Sequence, residues 1–309
     1  MLKLTASQDI SEFLASADKV EARSVLGAVE TEDLVSMTLI TAADDTVKGY
    51  VGNIGSNAFY GQSDLKALSL GSSVTSIASN SGYAGAFYNC SGFTGSLVIP
   101  NSVTTIGGNA FYSCSGFTSL IIGNSVTSIG GSAFQDCTAL TSLTIGNSVI
   151  TIGGNAFQDC TSLTGSLTIP NSVTSIGGYA FKNCTGLTSL TIGNSVTTIG
   201  SFAFYYCNGF TGSLNIPDSV TTIGNIAFKG CTGFTGSLTI GNSVTTIGLF
   251  AFSNCTGFTR ININKLVAPT IGANAFFNMT SVSPAVIHVP AGATGYAVSY
   301  NGLTIVKDL

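Results

Sequence analysis

Charge is what this sequence has least of. Asp, Glu, Lys and Arg make up 8% of its 309 residues, against about a quarter in typical soluble proteins. Residues 1–48 hold nine of the fourteen acids: Asp9, Glu12, Asp18, Glu21, Glu30, Glu32, Asp33, Asp44 and Asp45. The rest of the chain carries five acids and six basic residues. That is too little positive charge to neutralise a phosphate backbone, so no nucleic-acid partner is expected. Long apolar runs are missing as well. Hydrophobic residues reach 44%, yet no stretch approaches the roughly 18 to 20 apolar residues of a membrane span, and no membrane insertion is expected. The opening MLKLTASQDISEFL lacks the apolar core and cleavage site of a secretory signal. On that reading the chain stays where it is made, leaves by another route, or has been trimmed.

Chemical groups are equally thin. There is one His, His288, in the alternating stretch VIHVP, where a surface-facing strand position is expected. Catalysis by Ser–His, Cys–His or paired carboxylates needs convergent partners, and none is evident, so the chain is not expected to be an enzyme. Eight Cys are present, but never as the C-x₂₋₄-C pairs that zinc requires, and no metal or cofactor is expected. The IGGNAF segments lack the Lys and following helix of a phosphate loop. Asn89, Asn183, Asn254 and Asn278 begin glycosylation sequons only because the repeat places Asn there.

What the sequence has in abundance is itself. The dipeptide Ala-Phe recurs with Phe at 59, 87, 111, 134, 157, 181, 204, 228, 252 and 276, and eight of these ten copies place Cys three residues later. The Cys positions (90, 114, 137, 160, 184, 207, 231 and 255) fall every 23 or 24 residues, the longer units carrying an extra Gly in TGSL. One copy shows the apolar pattern: Ala156, Phe157, Cys160, Leu163, Leu167, Ile169, Val173 and Ile176. Leu167 and Ile169 flank Thr168, the period of a half-buried strand. Val173 and Ile176 form a second apolar pair beyond the turn at Pro170 and Asn171. Such a unit cannot bury its face alone, and stacking makes a continuous core. Phe181 should lie between coils. The Cys should form a ladder of buried thiols, because equivalent side chains in a stack point the same way and not toward each other.

The unit LTIPNSVTSIGxxAFxxCxxLTSL resembles the BspA-like branch of the leucine-rich-repeat family, over roughly residues 50–290. The resemblance implies a mainly β solenoid of about ten 23–24-residue coils, and adhesion to host proteins or other cells at an extracellular or cell-surface location. The ends depart from the pattern, with Gln62 and Met279 in the Cys slot and ASNSGYAG inserted at 78–85. Terminal repeats must close an open core, so a C-terminal cap is expected over 281–309, with a last strand near Val286 to Val289.

Residues 1–48 do not repeat. Ile10, Phe13, Leu14, Val20 and Leu26 fall at helical intervals between a Ser7 N-cap and a Gly27 stop, which predicts a short helical cap on the array at 49–280. A second reading starts from Ala15, Ala17, Glu21, Ala22, Arg23, Leu26 and Gly27. They resemble the A-x-x-x-E-A-R-x-x-L-G elements of bacteriophage tail fibres and related appendages, and imply an attachment segment through which the chain could form a homo-oligomer.

Comparing coils within the chain locates candidate binding positions. The residue before Ala-Phe is Asn109, Ser132 and Asn155, then Tyr179, Phe202, Ile226 and Phe250. Stacked, these four large groups make an apolar stripe with Tyr205 and Tyr206 beside it, and exposed aromatic stripes mark interaction sites. The alternative is that they fold over the coil edge and fill gaps. The strand faces read Thr144, Thr168, Thr191, Asn215, Thr239 and Asn262, a solvated ladder whose hydroxyls also suit carbohydrate. The expected function is recognition of a protein or glycan on a host or cell surface. The alternative is a spacer with no specific ligand.

Overall fold

The repeat unit dictates a three-sided coil. A strand carries Leu and Ile inward, a Pro-Asn or Gly-Asn corner turns the chain, and the Val and Ile of V-T-x-I start a second short strand. Consecutive tight turns around Ala-Phe then close the loop. A computed structural model describes residues 46–48, 52–72, 74–78, 85–279, 281 and 286–309. It contains no α-helix among the described residues, and the helix expected between Ser7 and Gly27 lies outside them. Tertiary contacts define two units, Met1–Val149 and Ile150–Leu309, each with the same internal plan.

In the first unit the short strands Gly52–Ile54, Val74–Ile77, Thr105–Ile106 and Ser128–Ile129 pair in parallel, one per coil. On the opposite side Gly95–Ile99, Phe117–Ile122 and Ser142–Thr144 form a parallel sheet. Thr46–Lys48 pairs with Ala67–Ser69.

The second unit repeats the scheme with six short parallel strands, from Thr151–Ile152 to Thr270–Ile271. Facing them, Gly165–Thr168 pairs with Leu187–Thr191, and Leu214–Ile216, Ser237–Ile240, Arg260–Ile263, Val286–Val289 and Leu303–Lys307 continue in parallel. The longer coils absorb their extra residue as a bulge: the register with Leu187–Thr191 shifts between Gly165 and Ser166. Gly165 sits at φ +75° with open space where a side chain would be, so it is the backbone angle that calls for glycine there.

The third side is a ladder of turns. Phe157, Phe181, Phe204 and Phe228 each donate their N–H to the Ala carbonyl of the next coil at 2.8 Å. Inside, their rings stack at 5.1–5.4 Å between centroids, and Phe181 is fully buried. Cys90, Cys114 and Cys137 in the first unit, and Cys184, Cys207, Cys231 and Cys255 in the second, donate S–H to a Phe carbonyl one coil back at 2.8 to 3.3 Å. All eight Cys are buried free thiols. Each thiol thus occupies small apolar volume and satisfies a buried carbonyl.

The strand Val286–Val289 lies where the alternation places it, but His288 does not face solvent. It is 7% exposed, with Nδ1 at 2.8 Å from the Asp308 carboxylate. The reason is a fold-back that no repeat encodes: Asp308 and Leu309 both donate their N–H to the Val289 carbonyl, laying the C-terminus over the strand.

Candidate binding edge

The turns around Ala-Phe hold up to two left-handed residues per coil. The slot before Ala-Phe has φ near +60° in nine coils: Asn57, Asn109 and Ser132 in the first unit, and Asn155, Tyr179, Phe202, Ile226, Phe250 and Asn274 in the second. Asn reaches this region readily because its short polar side chain bonds locally, whereas other L-residues pay about 1–2 kcal/mol. A β-branched residue there is a genuine outlier. Yet Tyr179 (φ 60°), Phe202 (61°), Ile226 (62°) and Phe250 (54°) adopt it in four consecutive coils. The slot before Cys is also left-handed, filled by Asn89, Ser113, Asp136, Asp159, Asn183 or Asn254, and in one coil by Tyr206 at φ 57°.

These side chains meet one another at the surface. The Tyr179 and Phe202 rings stack at 4.5 Å, and Tyr205 meets Phe202 edge-on at 5.6 Å and Tyr206 at 4.3 Å. Tyr206 is 44% exposed and lies across Gly230, the next left-handed residue along the stack. Tyr179, Phe202, Tyr205, Ile226 and Phe250 are half-buried. Lys182 sits over the Tyr179 ring at 5.8 Å and Lys229 over Phe250 at 5.2 Å, so both ends of the stripe carry a cation on an aromatic face. Desolvation by the neighbouring rings raises the Tyr205 phenol above its ordinary pKa, with its hydrogen bond to Tyr206 adding to the shift. The arrangement offers an apolar edge with phenolic hydroxyls and two ammonium groups.

The first unit carries a second aromatic row. Tyr60, Tyr88 and Tyr112 stack at 5.2 and 4.6 Å. A hydrogen bond to Asp136 pushes the Tyr112 phenol up to about 12, with burial adding less. All three tyrosines occupy the slot directly after Ala-Phe. Among the described residues no group of three or more His, Cys, Asp or Glu is placed to hold a metal ion, and no helix is long and apolar enough to cross a membrane.

One-sided apolar coils in parallel register, around a Phe spine and a thiol rung, define a leucine-rich-repeat solenoid. The family model described as "BspA type Leucine rich repeat region (6 copies)" matches residues 44–164, 82–211 and 208–291, and the chain belongs to that family. No curated protein matches it. Among solved structures it is similar to a leucine-rich repeat protein from Bacteroides ovatus, at 27% identity and a TM-score of 0.64 over 80% of this chain, of whose length it spans 61%. A leucine rich cell surface protein from Faecalibacterium prausnitzii is 23% identical, with a TM-score of 0.47 over 91% of this chain and 94% of that one.

Proposed function

We propose that the chain is a non-enzymatic recognition module that binds a protein or glycan on a host or cell surface, through Tyr179, Phe202, Tyr205, Tyr206, Ile226 and Phe250. One observation carries the reading: four bulky residues in consecutive coils hold a left-handed backbone that Asn, used elsewhere in the same slot, would adopt more cheaply. Backbone strain kept at a half-exposed edge points to a use for the side chains, because local packing there returns only part of its cost. The aromatic composition fits an interface core, where a few such anchors carry most of the energy.

In this reading residues 49–280 form the recognition array and 281–309 its closing cap. Residues 1–48 join it to a larger assembly, a phage tail fibre or a similar appendage, as their resemblance to tail-fibre elements suggests. An extracellular, cell-surface or virion location fits that role. The test is binding of the labelled full chain to intact bacterial and epithelial cells, wild type against Phe202→Asn/Phe250→Asn. Retained folding with binding weakened at least about tenfold supports the edge. Unchanged binding moves the site elsewhere, and unfolding makes the pair core residues.

A further inference from the structure

A separate ladder runs along the Pro-Asn and Gly-Asn corners. At four of these corners the side chain accepts a hydrogen bond from the backbone N–H of the equivalent residue in the next coil. In the first unit Asn124 donates to Asn101 Oδ1 at 2.7 Å and Asn147 to Asn124 Oδ1 at 3.0 Å. In the second, Asn194 donates to Asn171 Oδ1 at 2.9 Å and Asn242 to Asp218 Oδ1 at 2.8 Å. The rung between Asn194 and Asp218 is missing. Among the described residues the Asp218 N–H has no protein acceptor, and the Asn194 side chain has no protein partner.

A cleft of about 350 Å³ opens at that gap, within the usual size range of small-ligand sites. Asn194 lines one side and Asn264 the other, with Asn215 and Asp218 between them. Its base includes Ile216, Pro217 and Gly241. Gly241 is held there by packing: a Cβ would lie 2.6 Å from the Pro217 carbonyl oxygen, so this corner cannot carry a side chain into the cleft. The side-chain amides of Asn194, Asn215 and Asn264 make no protein hydrogen bond among the described residues, and Asp218 keeps Oδ2 free.

We infer that this cleft is a binding site for a neutral saccharide ring, independent of the aromatic edge. The lining fixes the chemistry. Its free groups are both donors (the Asp218 N–H and three amide NH₂ groups) and acceptors (three amide oxygens and a carboxylate oxygen). A hydroxyl both donates and accepts, so a polyol can use all of them at once. An anion would face the Asp218 carboxylate with no Lys or Arg in the lining. A divalent cation wants six or more oxygen ligands and gains nothing from the NH groups. The carboxylate supplies a charge-assisted bond to a ligand hydroxyl, the strongest contact available here.

The experiment is an amide-resolved NMR titration of the full chain with glucose, galactose, mannose and N-acetylglucosamine, each to about 100 mM, since a site of this few contacts binds at millimolar strength. At least one sugar should shift the Asp218, Ser219 and Gly241 amides saturably. The test variant Asn215→Thr/Asp218→Asn uses residues the chain already places in these slots (Thr191 and Thr239; Asn194 and Asn242), so its spectrum should otherwise overlay the wild type. Binding should weaken about tenfold in it. No saturable shift with any sugar overturns the inference, as does equal binding by the variant. Calcium chloride titrated alone is the third arm, and saturable shifts at the same amides with calcium would make the cleft a cation site instead.

Discussion

The Sγ–H of Cys207 donates to the Phe181 carbonyl at 3.0 Å, joining two coils through a fully buried thiol. Burial pushes the Cys137 thiol up to about 12 and raises Cys184 and Cys207 well above the ordinary thiol range. Thiolate is the reacting species, so the native protein should resist a thiol reagent at pH 8. In denaturant without reductant, all eight Cys should react. A lower count would demonstrate disulfides.

The Phe spine sets the stability of the second unit. Phe181 is stacked on Phe157 and Phe204, and Phe181→Ala should cost about 3–5 kcal/mol, the usual range for a core Phe. A urea denaturation curve with an unmoved midpoint would contradict the stacking.

Ile226→Asn tests the strained edge. Relief of a left-handed β-branched residue is worth about 1–2 kcal/mol, and loss of a half-buried Ile costs about 1–1.5 kcal/mol. The two should nearly cancel, leaving the thermal midpoint within a few degrees. A loss above about 3 kcal/mol would mean that the side chain belongs to the core.

Gly241→Ala should fail differently. The new Cβ meets the carbonyl carbon and oxygen of Pro217 at 2.6–2.7 Å, and backbone must move. A destabilisation of about 2 kcal/mol or more is expected by urea titration.

Tyr112 should be the late phenol in an absorbance titration, ionising near 12 against an ordinary 10.0. Because the folded pKa is raised, the bond to Asp136 contributes fully below pH 10 and is lost as pH rises through about 12. Asp136→Asn should return the phenol toward its ordinary value.

Period alone made the strands, the Phe spine and the thiol rung legible, since each follows from one residue type recurring every 23 or 24 positions. The left-handed slot was legible too, in principle: Asn109 and Asn155 before Ala-Phe are of a type that a positive φ favours. His288 was misplaced because its cover is the non-repeating C-terminus, and nothing in VIHVP announces Asp308. The corner cleft depends on Asn194, Asp218, Gly241 and Asn264 together, spread over more than two coils. Its only trace in the sequence is an Asp where the neighbouring corners carry Asn.

The coil-to-coil hydrogen bonds of the second unit have a mechanical consequence. The strands and the turns around Ala-Phe bond from one coil to the next, so a pull on the end of the chain loads one coil boundary at a time. Tension should peel coils away singly, each releasing 23 or 24 residues, about 80 Å of slack. A tether built this way yields in small steps under load and re-stacks when the load drops, because each coil needs only its neighbour as a template.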